Sequence, residues 1–211
     1  KTTNYMGAEA SVYDEIDTSI TSEFTGYDRL EDEGVISVMC TPDAIADTIS
    51  EGQEGTMITD RTPFYGTMGG QEGDSGIIRK DGAVFDVQTT IHLKGGRIAH
   101  VGLVKEGSFA VSDKVNLEVD KTNRAKTCAN HSATHLLQEA LRRVLGTHVE
   151  QSGSYVDGER LRFDFTHFSG MTAEEIARVE EIVNREIQNH LPVETKIMTL
   201  EEAKNYLRVD H

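Results

Sequence analysis

The sequence predicts an α+β protein, with a small N-terminal β-barrel followed by an α+β domain whose helices pack on a mainly antiparallel sheet. Three observations carry this expectation. Between Gly34 and Val119, short runs of β-branched and apolar residues recur between glycine-containing and charged turns, the pattern of a small barrel or sandwich. After Lys121 the apolar spacing changes to the helical one, in which residues three and four apart share a face. The chain has 211 residues, enough for one large domain or two small ones that each bury a core. Residues 1–23 read as a connecting segment, 24–120 as the barrel and 121–211 as the α+β domain.

The expected barrel strands are VISVMC, GTMITDRTPFY, SGIIRK, AVFDVQTTIHL, RIAHVGLV and KVNLEV. The KGGR turn joins the fourth to the fifth, since Gly95 and Gly96 can supply the positive φ angles of a two-residue hairpin loop. In the second half, Asn130 reads as the N-cap of a helix from His131 to Leu145, with Ala133, Leu136, Leu137, Ala140, Leu141 and Val144 on its apolar side and Gly146 as its stop. THVEQSGSYV and RLRFDFTHF form a hairpin around Asp157-Gly158, burying Leu161, Phe163 and Phe165. Thr172 and Glu175 make a capping box for a helix with an apolar stripe of Ile176, Val179, Ile182, Val183 and Ile187, ending before Pro192. A strand, VETKIM, and a second capped helix starting from Thr199 and Glu202 complete the domain.

Composition narrows the function. A formal charge of -15 argues against broad, nonspecific phosphate binding, because nucleic-acid affinity rests on Lys and Arg neutralising phosphates. A local basic groove is still possible around Lys121, Arg124 and Lys126, followed by Arg142, Arg143, Arg160 and Arg162. Cys40 and Cys128 form no CxxC pair, which supports neither a disulfide framework nor a cysteine-rich metal module and makes a reducing compartment the default. No apolar stretch approaches the ~20 residues that span a bilayer, and the N-terminus has no signal-peptide core, so a cytoplasmic location is expected. A chain opening on Lys1 reads as a piece of a longer polypeptide.

Two stretches carry chemistry. In NHSATHLL, His131, His135, Gln138 and Arg142 fall within a narrow arc of the helix, roughly opposite the leucines. Two imidazoles at i and i+4 can reach one metal ion, but Ser132 stands where a metalloprotease helix carries its glutamate. From spacing alone, half a metal site and a solvated helix face remain open, since zinc takes four ligands or three plus water. In TPFYGTMGGQEGDSG, five glycines allow backbone N–H groups to approach a ligand closely, although the stretch has neither a P-loop ending nor a dinucleotide fingerprint. As a generic glycine loop it is weak evidence, and a turn-rich connection between strands is the favoured reading. His92, His100, His148, His167 and His190 read as isolated residues.

Taken together, NHSATHLLQEALRRVLGTHVEQSGSYV, RLRFDFTHF and TPFYGTMGGQEGDSG resemble the editing region of bacterial-type alanyl-tRNA synthetases, over nearly the whole chain from TTNYMGAEA to about Ala203. The resemblance implies that the α+β domain is an editing core and that the region hydrolyses serine or glycine wrongly attached to tRNA(Ala). It implies zinc bound by His131 and His135 together with a Cys and a His of a later CxxxH motif. Thr134 would line the amino-acid pocket, and Gln151 would lie near the bound substrate. Gly69, Gly70, Gln71, Gly73, Asp74 and Gly76 would hold the tRNA acceptor end, with Arg142 as a further tRNA contact. ATP and magnesium would belong only to an aminoacylation domain that this sequence does not contain. No DNA or membrane partner is implied.

The sequence departs from the family after EEAK, reading NYLRVDH and containing no CxxxH. Two of the four expected zinc ligands are therefore missing from it, and weak or no zinc binding is expected of this chain. A tRNA-acceptor-binding module without catalysis is the alternative. A freestanding editing protein is disfavoured, because TTNYMGAEASVYDEID reads as a synthetase's connecting segment.

Overall fold

A computed structural model of the protein describes residues 7–190 and 198–203. Alternating apolar and polar residues produce strands with one buried face, and in the first half of the chain six such strands close on themselves. In chain order the elements of this half are α1 (Ala10–Asp14), β1 (Glu23–Phe24), β2 (Glu31–Cys40), β3 (Ile45–Ala46), β4 (Thr48–Ser50), β5 (Glu54–Thr59), β6 (Arg61–Thr62), β7 (Gly76–Lys80), β8 (Ala83–Leu93), β9 (Arg97–Glu106), β10 (Ser108–Ala110) and β11 (Lys114–Val119). The ring runs β11-β7-β8-β9-β5-β2 and returns to β11, with every neighbour antiparallel. Closure removes the unpaired edges of the main sheet. These six strands correspond to the six runs read from the sequence.

The pleat sends Phe85 and Val87 of β8 and Val115, Leu117 and Val119 of β11 inward, where they meet Ile36, Met39, Met57, Phe64, Ile78 and Phe109. Two sequence expectations need correction here. The run GTMITDRTPFY is not one strand: Asp60 interrupts it, its Oδ1 accepting from the N–H groups of Val35 and Arg61 at 2.8 Å each, and β6 then pairs in parallel with β1 outside the barrel. The β8–β9 loop has three residues rather than two, because Leu93 pairs with Arg97 and leaves Lys94, Gly95 and Gly96 between them. Both glycines do adopt positive φ, 81° and 76°.

The connecting segment is fastened to the barrel by one buried cation. Arg97 donates to the carbonyls of Asp17 and Ile20 at 3.0 Å and of Lys94 at 2.9 Å. This holds Val12 and Ile16 against Cys40, Ile58 and Ala99 on the outside of the barrel.

The second half consists of α2 (Lys121–Leu145), a hairpin of β12 (Gln151–Val156) and β13 (Leu161–Phe165), and α3 (Ala173–Gln188). The expected helix is present but starts at Lys121 rather than His131, and its N-cap is Asp120, which accepts from the N–H of Asn123. Asn130 lies inside the helix and donates to the carbonyl of Asp157 at 2.8 Å. The early start escapes the sequence pattern because the first turns carry no apolar stripe. Asp157 turns the hairpin, accepting from the N–H groups of Glu159 and Arg160 at 2.8 Å. The Thr172–Glu175 capping box forms as expected. Ala140, Leu141, Val149 and Val179 make the core, with Phe163, Phe165, Ile182 and Val183 packed around it. Ile176 and Ile187, expected on the apolar stripe of α3, are exposed by 44% and 50%. The hydroxyl and backbone N–H of Thr199 both bond Glu202, whereas the VETKIM run lies outside the described residues except for Met198. No helix among the described residues is long and apolar enough to cross a membrane.

The barrel core contains one titratable switch of stability. His100 is fully buried against Phe64. Its Nδ1 donates to the carbonyl of Met57 at 2.8 Å, and its Nε2 accepts from the Thr62 hydroxyl at 2.7 Å. Burial lowers its pKa to about 4. Between that value and the ordinary ~6.5 the unfolded chain takes up a proton that the native imidazole refuses, so stability falls as pH drops through this window and is unaffected by this group above it. Denaturant unfolding is expected to lose up to ~3 kcal/mol from this group between pH 7 and pH 4. His100→Gln should show a smaller loss, and equal losses in both proteins would exclude His100 as the cause.

Candidate functional site

The glycine-rich stretch and α2 meet at a buried ion pair. Asp74 is 4% exposed and faces Arg124, whose Nε donates to both carboxylate oxygens at 3.0 Å and whose Nη2 donates to Oδ2. The guanidinium also donates to the carbonyls of Gly26 at 3.2 Å and Pro63 at 2.9 Å, and Asp74 Oδ2 accepts from the Tyr65 N–H at 2.7 Å. Burial acts to lower the Arg124 pKa, but its bond and charge interaction with Asp74 outweigh that and raise it. The carboxylate named as a tRNA contact is thus occupied in holding the first turns of α2 against the barrel. Of the basic residues expected to form a groove, Lys121 pairs with Glu31, Arg143 with Glu139, Arg160 with Asp157 and Arg162 with Asp164, all through exposed contacts. Among the described residues Arg142 makes no ion pair.

The loop from Gly69 to Gly76 is clamped between the barrel and the hairpin. The Val156 N–H donates to the Gly70 carbonyl at 2.8 Å, and the Glu72 N–H donates to the Val156 carbonyl at 2.9 Å. Gly70 has φ 82°, and a Cβ there would lie 2.3 Å from the Ser154 carbonyl oxygen; at Gly73 a Cβ would lie 1.8 Å from that of Thr90. Only glycine permits these approaches. Gly69 is exposed with nothing near its missing side chain, and Gln71 is half-buried on the seam with Val156. Gly76 opens β7 against the carbonyl of Glu118.

Further along α2, His131 and His135 are exposed on one face with ring centroids 5.1 Å apart. Burial, and then the neighbouring His135, lower the His131 pKa, which favours the neutral imidazole that can donate a lone pair. Among the described residues no third His, Cys, Asp or Glu joins them in a metal-sized cluster. Thr134 is buried, and its hydroxyl donates to the Asn130 carbonyl at 2.9 Å. Gln151 is exposed at the start of β12, its Nε2 donating to Ser154 Oγ at 2.8 Å rather than to either histidine. The His face continues into an open groove of about 470 Å³ lined by His135, Gln138, Glu139, Arg142, Arg143 and Thr147. The structure therefore brings His135, Gln138 and Arg142 to one surface and places the glycine loop against β12 at Ser154 and Val156.

A second imidazole pair escaped the sequence reading. His148 Nε2 and His167 Nδ1 are 2.8 Å apart, and the His148 ring stacks on Phe168 at 4.6 Å. The signal was in the hairpin register: extending the Gln151–Phe165 pairing outward brings residue 148 opposite 168, with His167 the next residue along.

The chain that folds into this closed barrel, glycine seam and long helix matches tRNA synthetases in sequence. A family model described as tRNA synthetases class II (A) matches residues 1–123, more than half of the sequence, and the chain belongs to that family. It is 57% identical over 202 residues to Alanine--tRNA ligase 1 of Lachnoclostridium phytofermentans, a match covering 96% of this chain and 23% of that protein. The chain thus spans about a quarter of the length of the curated relative it matches.

The buried ion pair yields a direct test. Arg124→Ala leaves a buried carboxylate with a single backbone donor on its side chain, and the protein is expected to lose ~3–5 kcal/mol of stability. Hydrogen exchange should rise first at residues 70–74 and 121–127. A variant with wild-type stability and exchange would show that the pair does not join the two halves.

Proposed function

We propose that this chain is the editing region of an alanyl-tRNA synthetase and that it serves hydrolysis of the ester joining a wrongly attached serine or glycine to tRNA(Ala). The observation that carries the reading is the pair His131 and His135 on the exposed face of α2, opening into a groove that contains Arg142, a cation with no ion pair among the described residues. The 57% identity to an alanine–tRNA ligase over both halves of the chain supports it. A second site is physically required in such an enzyme. A pocket for alanine cannot strongly reject the smaller glycine, and it rejects an added hydroxyl by only about a hundredfold.

In this reading His131 and His135 supply two nitrogen donors to zinc, and their shared face and the lowered pKa of His131 fit that role. Two further ligands, from a CxxxH motif, come from outside this sequence. When bound, zinc orients the aminoacyl group or polarises its carbonyl. Thr134, one residue before His135, lines the amino-acid pocket, and Gln151 orients the substrate from the hairpin. Water adds to the ester carbonyl, the bond to the ribose oxygen breaks, and the amino acid leaves from a free tRNA end. The loop Gly69, Gly70, Gln71, Gly73, Asp74 and Gly76 supports the acceptor end, with the Asp74 carboxylate acting through Arg124. Alanine activation with ATP and magnesium would belong to other parts of the longer polypeptide. The alternative, an acceptor-binding module without catalysis, draws on the absence of a third metal donor near the histidines among the described residues.

Hydrolysis of Ser-tRNA(Ala), with Ala-tRNA(Ala) as control, separates these readings. A polypeptide extended through a CxxxH motif and loaded with zinc is expected to release serine and spare alanine, and His131→Ala or Gln151→Ala should reduce release to background without altering the far-ultraviolet spectrum. No release from the extended protein would remove the catalytic reading. The chain as it stands is expected to hold less than one zinc firmly, and one tightly bound zinc per molecule would contradict the assigned ligand set.

A further inference from the structure

Phe168 is 87% exposed, whereas Phe64, Phe85 and Phe109 are fully buried. Its ring nevertheless has a fixed seat. One face lies on His148 at 4.6 Å with 26° between the planes, and His148 is in turn fixed by the 2.8 Å bond between its Nε2 and His167 Nδ1. His167 also approaches the Phe168 ring, at 5.9 Å. The stack begins where the groove ends: Thr147 is the last groove residue, and His148 follows it in sequence. The surroundings are polar and cationic rather than apolar. The groove carries Arg142, Arg143 with its partner Glu139, Gln138 and His135, and Ser169 and Gly170 beyond the ring are exposed. A nucleotide strand needs a flat ring for a base and cations for phosphates, and the exposed ring and the arginine-bearing groove supply both.

We propose that Phe168, prestacked on His148, is a platform for a nucleobase of a single-stranded RNA end whose phosphates follow Arg142 along α2. The assignment rests on the editing reading only for the identity of the strand, the acceptor end of tRNA. From His135 to Arg142 is about 10 Å of helix, so a strand whose terminus lies at the histidines would bring a preceding phosphate to Arg142 and its base on toward the ring. Every base has a π-face, so the platform adds affinity without choosing sequence.

The test uses this chain and a short single-stranded RNA ending in CCA, labelled for fluorescence anisotropy and carrying 2-aminopurine at successive positions. Phe168→Ala is expected to weaken binding about tenfold and to abolish the stacking quench of 2-aminopurine at one position upstream of the terminus. Phe168→Trp should preserve both. Arg142→Ala should weaken binding and flatten its salt dependence while leaving the quench in the bound fraction. Because the Phe168 ring is exposed, thermal unfolding of Phe168→Ala should match the parent. Equal binding by Phe168→Ala and the parent, full retention by Phe168→Leu, or no binding by the parent at saturating RNA would overturn the platform. The editing reading is judged separately by serine release, so loss of stacking with serine release intact removes the platform alone.

Discussion

The arrangement of this protein depends on one buried ion pair. Asp74 ends the glycine loop of the barrel, and Arg124 sits one turn into the helix that bears the histidines. Charges removed from water are costly unless their remaining hydrogen-bonding capacity is filled. Here the capacity is largely filled: the carboxylate takes the Tyr65 N–H as well as the guanidinium, and the guanidinium takes two backbone carbonyls as well as the carboxylate. Those carbonyls belong to Gly26 and Pro63, so four segments of chain converge on one salt bridge. Its geometry fixes where α2 leaves the barrel.

The glycine seam adds a second constraint of a different kind. Two backbone hydrogen bonds at Val156 attach the loop to the hairpin, and the missing side chains at Gly70 and Gly73 allow the approach. The loop is thereby held on the barrel side by charge and close packing, and on the hairpin side by main-chain bonds. A backbone held in this way keeps one conformation without help from side-chain packing of its own.

How much of this was legible in the sequence follows the strength of the local pattern. The six barrel strands could be read because each buries alternate residues, as in Ala83, Phe85 and Val87. The short pairings β1–β6 and β4–β10 could not, since two or three residues carry no period. The start of α2 was hidden because its first turns are held by Arg124 and the buried Thr127 rather than by leucines. His131 and His135 were visible as a pair because their spacing is local to one helix. His148 and His167 were not, because only the hairpin brings them together. The chemistry assigned to Asp74 also depended on context: the sequence offers a carboxylate, but burial determines that it faces a guanidinium.

The length of α2 has a mechanical consequence. From Arg124 to Arg142 the helix extends about 27 Å, and only its first turns are gripped by the barrel. With its root held by the Arg124–Asp74 pair and the Lys121–Glu31 contact, a small tilt there becomes a larger displacement at the tip. The hairpin and α3 act as a brace along its outer half. The position of the histidines therefore depends on residues at the far end of the helix, and mutations at the root would move them without touching either ring.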